Sequence, residues 1–389
     1  MSTTTIPLRE RLVRPAVVVL GLAGVAAVGL NVPGRPLVAG LLATAILVFG
    51  LTLVDALLLP LLAMPFMVII VRMGMGSLSL ALSDLVLGLV LVPAVLFGRR
   101  PYSRPMSWML ILTACYQFAT LFAVAAHPFS ASIVEWLHAG VLVGGSLLVG
   151  WALGRDGRGP LAVRLFVLGV LVILAGTFYT AAVHFARRDF GPVFTEWPFL
   201  MHKNLVGPVL VLAATVAYVR PAWLGWGVRS SRVLFTLCVV GALLTQSRQA
   251  FIGMSVVLVL FVIRSPARQR RNRGILVVVV GLVGVSLTML QDQLESGNRF
   301  NSAQTRLSWF SDGVDAWLRD PWVGLGLRWW YAPENAGAIQ PPNAEFEQLT
   351  STGVIGLVGF VVLFVGALMV LARTDPAYAT LTAVREGRV

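Results

Sequence analysis

The sequence predicts an all-α polytopic membrane protein, a bundle of about twelve transmembrane helices with both termini in the cytoplasm. Three observations carry this. Of the 389 residues, 57% are hydrophobic and only 12% charged. Mean hydropathy is +0.84. The apolar runs are as long as a bilayer is thick. A soluble domain carries roughly 25% charged residues, so a soluble core has no room for this much apolar surface. In hydrocarbon every backbone polar group needs an internal partner, which leaves helices or closed barrels. The runs lack period-two alternation and exceed the ~10 residues of a barrel strand; they suit spanning helices.

Helices are expected near 15–30, 37–53, 56–71, 78–97, 106–126, 133–153, 161–183, 205–221, 232–245, 248–263, 274–290 and 351–372. The segment 37–71 is nearly continuous, interrupted only at Thr52–Asp55. Pro60, Pro65 and Pro93 fall inside spans, where neighbouring helices re-satisfy the lost hydrogen bonds. Arg9, Arg11 and Arg14 precede the first run, and no small-residue cleavage site follows it. It reads as a first helix rather than a removed signal peptide.

The net charge of +13 does not indicate nucleic acid, because the basic residues sit in short turns between apolar runs. Alternate turns hold Arg9, Arg11, Arg14; Arg99, Arg100, Arg104; Arg155, Arg158, Arg164; Arg220, Arg229, Arg232; Arg264, Arg268, Arg270, Arg271, Arg273; and Arg373, Arg385, Arg388. These are twenty of the thirty basic residues, the pattern that marks cytoplasmic turns. Cys115 and Cys238 lie inside apolar runs and read as small buried residues. No zinc-spaced set, no carboxylate cluster for a divalent ion and no Walker A is present, so neither a metal nor another cofactor is expected.

The chain reads as a single membrane domain over 1–389, without a fixed-period repeat. Two long loops, 184–204 and 291–350, both fall on the outer face. Loops beyond about 12–15 residues are usually functional or disordered. The larger one is rich in aromatics, and Leu307, Phe310, Val314, Trp317 and Leu318 recur at helical spacing. This predicts an amphipathic helix near 303–319, ended by Asp320-Pro321, with its apolar face on the membrane surface or capping the bundle.

The candidate site residues cluster on that outer side. Arg248 sits in Thr245-Gln246-Ser247-Arg248-Gln249, a tight turn between two apolar runs. A charge so close to a span marks a functional site or a snorkelling side chain. Arg306 opens the amphipathic helix. Arg187, Arg188, His202, Lys203 and Asn204 form a basic cluster with an imidazole, which is either a site or a hydrogen-bonded structural group. Arg328, Trp329, Trp330 and Tyr331 suit sugar stacking or an interfacial aromatic belt. Asn343, Glu345 and Gln348, ahead of the last helix, read as a site or a polar cap. Guanidinium binds phosphate bidentately and keeps its charge beside lipid. An amphiphile with a buried tail and a pyrophosphate head fits this geometry.

Ser247-Arg248; Arg306-Leu307-Ser308-Trp309 followed by Pro321-Trp322-Val323-Gly324-Leu325-Gly326; Asn343 through Gly353-Val354-Ile355-Gly356; and His202-Lys203-Asn204-Leu205 are the stretches that carry a likeness. In them, over roughly 201–371, the chain resembles the O-antigen ligase and O-antigen polymerase superfamily. The resemblance implies glycan transfer from an undecaprenyl-pyrophosphate donor to a glycan or lipid acceptor, at the outer face of the bacterial cytoplasmic membrane, without ATP or metal. Arg248 and Arg306 would hold the pyrophosphate. The family often has His-Asn where this chain has Pro342-Asn343, and proline carries no proton. Glu345, Glu347 or His202 is then the expected base. The other classes are a lipid-linked glycan transporter or flippase, and a non-catalytic glycan-lipid-binding partner of envelope-assembly proteins. Asp55 and Asp84 are the main intramembrane ionisable residues.

Overall fold

The computed structural model of the protein describes residues 36–75, 78–264, 302–335, 338, 340–341 and 343–373, with scattered positions within 23–32 and 277–291. The expected helices at 15–30 and 274–290 therefore lie largely outside the described residues, as do Pro342 and the last sixteen residues, 374–389. The described chain is almost entirely helical. Its helices are α1 (Pro36–Val54), α2 (Leu58–Ala63), α3 (Leu82–Phe97), α4 (Arg104–Ala126), α5 (Ser130–Gly140), α6 (Ser146–Arg155), α7 (Gly159–Ala186), α8 (Lys203–Val219), α9 (Val228–Thr245), α10 (Arg248–Arg264), α11 (Ser302–Arg319) and α12 (Ala344–Arg373). A π-helical turn, Val141–Gly145, joins α5 to α6.

Among the described residues, five stretches are long and apolar enough to cross a membrane: Arg104–Ala126, Ser130–Arg155, Gly159–Ala186, Val228–Thr245 and Ala344–Arg373. Four shorter apolar helices accompany them, Leu58–Val68, Leu82–Phe97, Lys203–Val219 and Arg248–Ile263. This is a multi-pass helical membrane protein. The count of twelve spans remains an expectation. Along α12, Val358, Val361, Phe364, Leu368 and Leu371 are all exposed, an arrangement that water disfavours and lipid tails accept.

Local chemistry explains the departures from the expected boundaries. The helix expected at 56–71 stops early: α2 tightens into a 3₁₀ turn over Met64–Val68, with Pro65 at its start. The helix expected at 78–97 begins only at Leu82. Before it, β1 (Arg72–Met75) and β2 (Leu78–Ala81) form an antiparallel hairpin in register Arg72↔Ala81 and Met75↔Leu78. The Asp84 carboxylate accepts the Ala81 N–H at 2.7 Å, which satisfies an orphan donor and fixes the start of α3. Ser103 caps α4, its hydroxyl accepting from Met106 N–H at 3.3 Å.

Two apolar clusters hold the bundle. One joins α7 through α10 around Ile173, Leu174, Leu210, Phe251 and Leu258; the other joins α2, α3, α6 and α7 around Leu61, Val90, Ala152 and Leu153. A third contact runs along α4 and α12. There a Cβ on Gly359 would lie 2.6 Å from Ala119 Cβ, and one on Gly366 would lie 2.7 Å from Leu112. Small residues let helices approach closely where lipid supplies no hydrophobic drive between them.

The basic turns gather at one end. Arg158 Nη1 lies 2.7 Å from Asp55 Oδ2, its Nε 2.7 Å from Asp156 Oδ2, and Arg99 Nη2 lies 3.1 Å from Asp156 Oδ1. The hydrogen bond from Arg158, more than its charge at a distance, holds the Asp55 carboxyl below its ordinary range. A depressed carboxyl stabilises the fold above the unfolded-state pKa and loses that effect as pH falls through the folded one. The unfolding midpoint of the native protein is therefore expected to exceed that of Asp55→Asn at neutral pH. The gap closes below about pH 4, as a pH series of thermal unfolding would show.

Candidate functional site

The opposite end carries both long loops. α5–α6 and α7 run antiparallel through the short turn at 156–158, so Ser130 and Ala186 emerge together, away from Asp55 and Arg158. The 184–204 loop folds back over this end. Val193, Thr195 and Met201 are buried within it. Thr195 pairs with Met201 in an isolated bridge and its hydroxyl lies 2.8 Å from Thr177 Oγ1. Val193 N–H donates to Leu244 O at 3.1 Å.

The turn bearing Arg248 is built from its own sequence. Gln246 adopts the left-handed conformation, φ 50°, which ends α9 within one residue. Its side-chain amide donates to Phe190 O at 2.9 Å. Ser247 N–H donates to Thr245 Oγ1 at 3.3 Å, and Arg248 then opens α10, half-buried. Gly207 makes the neighbouring close approach, since a Cβ there would meet Ala250 Cβ at 2.8 Å and Ser247 Cβ at 2.9 Å. That approach puts the buried Ser247 hydroxyl 3.4 Å from Asn204 Oδ1, to which it donates. Two segments far apart in the sequence, His202-Lys203-Asn204 and Ser247-Arg248, are thus adjacent. A cation at a helix start, beside polar side chains, favours an anion.

His202 caps α8: its Nδ1 accepts the Asn204 N–H at 3.2 Å. Its ring packs edge-on against Phe194, with centroids 5.1 Å apart, and Lys203 Nζ stands over the same Phe194 ring at 6.0 Å. Burial first, and the Lys203 charge second, push the imidazole below its ordinary pKa, so the ring is neutral at pH 7. With Nδ1 used as an acceptor, the neutral ring carries its proton on Nε2. Arg187 and Arg188 are exposed in the turn that ends α7, Arg188 with φ 60°.

The second group of motifs converges as well. α11 covers Ser302–Arg319, close to the expected 303–319. Gly313 and Ala316 are buried while Val314 and Leu318 are exposed. Phe310 meets Phe346 edge-on with centroids 5.2 Å apart. Arg306 lies on α11 one turn before Phe310, so the backbone places it at the Asn343 end of α12; its side chain lies outside the described residues. Trp317 Nε1 donates to Pro321 O at 3.1 Å as the chain leaves the helix. The following turn then pairs with α12. Leu325 N–H donates to Thr350 O at 3.0 Å, Gly326 N–H to Ser351 O at 3.0 Å, and Val354 N–H to Pro321 O at 2.9 Å. These α12 groups are open to the turn because α12 is two helices in series, broken at Gly353 (φ 60°, ψ −165°).

Residues near the start of α12 do not converge as a single set. Asn343 Oδ1 accepts Phe346 N–H at 2.8 Å and caps the helix. Glu345 is exposed. Gln348 turns inward, hydrogen-bonded to Tyr116 and with Oε1 3.4 Å from Thr352 Oγ1. Glu347 accepts from Gln340 Nε2 at 3.0 Å. Trp329 is buried and its Nε1 donates to Thr350 Oγ1 at 3.4 Å, so its ring is a wall; of its neighbours only Tyr331 is exposed. Arg328 is also inward, its Nε 2.6 Å from Glu135 Oε2. Glu135 is not among the residues the sequence singles out. An ionisable pair three residues apart, Glu135 and His138, inside an apolar run was the available signal.

Residues 233–364 match the family model described as O-antigen ligase. The match contains Arg248, Arg306, the Pro321–Gly326 turn and Asn343, and leaves out the first half of the chain. No curated protein and no solved structure matches.

Proposed function

We propose, from the match of residues 233–364 to the O-antigen ligase family model, that this chain is a glycosyltransferase of envelope polysaccharide synthesis. It polymerises or ligates glycan from an undecaprenyl-pyrophosphate donor at the outer face of the bacterial cytoplasmic membrane. The observation that carries the reading is the meeting of Asn204 with Ser247, which gathers His202, Lys203 and Arg248 at one spot inside or beside the matched domain.

In this reading the acceptor hydroxyl attacks the anomeric carbon, the bond to the pyrophosphate oxygen breaks, and undecaprenyl pyrophosphate leaves. Arg248 and Arg306 bind the pyrophosphate and stabilise the charge that develops on it. Lys203 and His202 Nε2–H add donors, and Arg187 and Arg188 draw the anionic headgroup toward the site. Glu345, exposed and not spent on a cap, takes the acceptor proton. Such a base contributes roughly 10²–10⁴-fold. Asn343 and Gln348 shape the approach from α12.

A transporter of lipid-linked glycan would draw instead on charges inside the bundle, such as Asp84 with His138 Nε2 3.1 Å away. Purified protein in liposomes separates the classes. New glycosidic bonds are expected. Movement of lipid-linked glycan across the bilayer without bond formation would favour transport, and binding with neither would favour an assembly partner.

A further inference from the structure

A buried polar cluster that the proposed reaction leaves unused joins α3, α5 and the loop after α11. His138 bridges two carboxylates: its Nε2 lies 3.1 Å from Asp84 Oδ2 and its Nδ1 3.3 Å from Glu135 Oε2. The same Glu135 oxygen lies 2.6 Å from Arg328 Nε. All four side chains are at least three-quarters buried, Arg328 being only 13% exposed. Ionisable groups held inside a membrane bundle are costly and persist where they have a task.

The array ties together residues almost two hundred and fifty positions apart. Asp84, Glu135 and His138 lie outside the matched stretch 233–364, and Arg328 lies within it. Beside the Arg328 contact, Leu327 N–H donates to Ser132 Oγ at 3.2 Å, one helical turn before Glu135. Arg328 itself is left-handed, φ 55°, a conformation that a non-glycine residue keeps only where its surroundings hold it. From there the chain leads into Trp329, hydrogen-bonded to Thr350, and into the half-exposed Tyr331.

We propose that Glu135 is a positioning residue. Acting through Arg328, it sets the loop Pro321–Tyr331 against α12 as the glycan-facing wall of the site, with His138 and Asp84 holding its carboxylate in place. The role rests on the glycosyltransferase reading. The wall is assigned to glycan because it exposes the rings of Trp322 and Tyr331, which suit sugar faces, while Arg328 is engaged by Glu135 and is not offered to a pyrophosphate.

The test uses the full chain in nanodiscs and compares wild type, Glu135→Gln, Glu135→Asp and the doubly neutral Glu135→Gln/Arg328→Gln. Amide exchange of 325–332 is expected to rise about tenfold in Glu135→Gln, where a buried charge loses its partner, and to return toward wild type in Glu135→Asp. Glycan transfer is expected to fall and recover in parallel, about tenfold each way, while binding of undecaprenyl pyrophosphate stays constant. The double variant has no unpaired charge, so it keeps the fold; its transfer stays low. Unchanged exchange in Glu135→Gln, raised exchange with unaltered transfer, or Glu135→Asp as impaired as Glu135→Gln would each overturn the role. If wild type forms no glycosidic bond, the glycosyltransferase reading falls and this role with it, whereas the exchange data still show whether Glu135 anchors the loop.

Discussion

Cells carrying Arg248→Ala or Arg306→Ala are expected to lose the polymerised or transferred glycan, with rates about 10²–10³-fold below wild type for each change. The argument begins with the site's position. Arg248 opens α10 at the end of the bundle that carries both long loops, next to Asn204 and Ser247. A charge there, bordering an apolar helix, is worth its cost when it meets an anion. Alanine at this position leaves the turn standing, because the turn is made by Gln246 and by the Thr245 and Ser247 hydrogen bonds. The loss is therefore expected in product and not in the amount of folded protein. Lysine at 248 should restore part of the activity, keeping charge while losing the bidentate fork. Normal product with both arginines removed would end the pyrophosphate role assigned to them.

Gly353→Val is expected to act on the fold itself. Gly353 has φ 60° and ψ −165°, a region that glycine alone occupies freely, and any side chain there carries strain of about 1–3 kcal/mol. A Cβ would also run into Trp322 C and O, in the turn whose carbonyls receive Val354 N–H and Ile355 N–H. Overpacking adds about 1–3 kcal/mol, so the combined cost is ~4 kcal/mol, a large share of a marginal stability. The folded fraction after detergent extraction, and its thermal unfolding midpoint, should both drop. Gly253→Ala is the control. A Cβ there meets nothing within 4 Å, and alanine inside a helix is favoured over glycine by about 1 kcal/mol, so Gly253→Ala should unfold at or above the wild-type midpoint.

What the sequence makes legible follows from the range of the interaction. α11 was readable almost to the residue, because a 3.6-residue apolar repeat and a following Asp-Pro are local signals. The start of α10 at Arg248 was readable for the same reason. The last helix was expected from Ser351 and instead begins at Ala344; polar Glu345, Glu347 and Gln348 masked its first two turns, and Gly353 hides a break that only a backbone angle reveals. The hairpin at 72–81 is hidden because Arg72–Met75 reads as a turn between two apolar runs and Leu78–Ala81 runs straight into the apolar residues of α3. Pairing of 321–326 with 350–355 uses backbone groups, which leave no trace in residue type. Glu135 with Arg328 is a tertiary contact between segments that nothing local connects. By residue type Trp329 suits a sugar face or an aromatic belt, and the fold buries it against Thr350, since an exposed and a buried tryptophan look alike in sequence.

The account stands or falls on the fate of the donor. Purified protein in liposomes, given undecaprenyl-pyrophosphate-linked glycan and an acceptor, allows two products to be counted in one reaction: glycosidic bonds formed and sugar-free undecaprenyl pyrophosphate released. Equal amounts of the two, both lost in Arg248→Ala, are the predicted result. Donor that binds and moves across the bilayer but keeps its glycan, with no lipid pyrophosphate released, would contradict it.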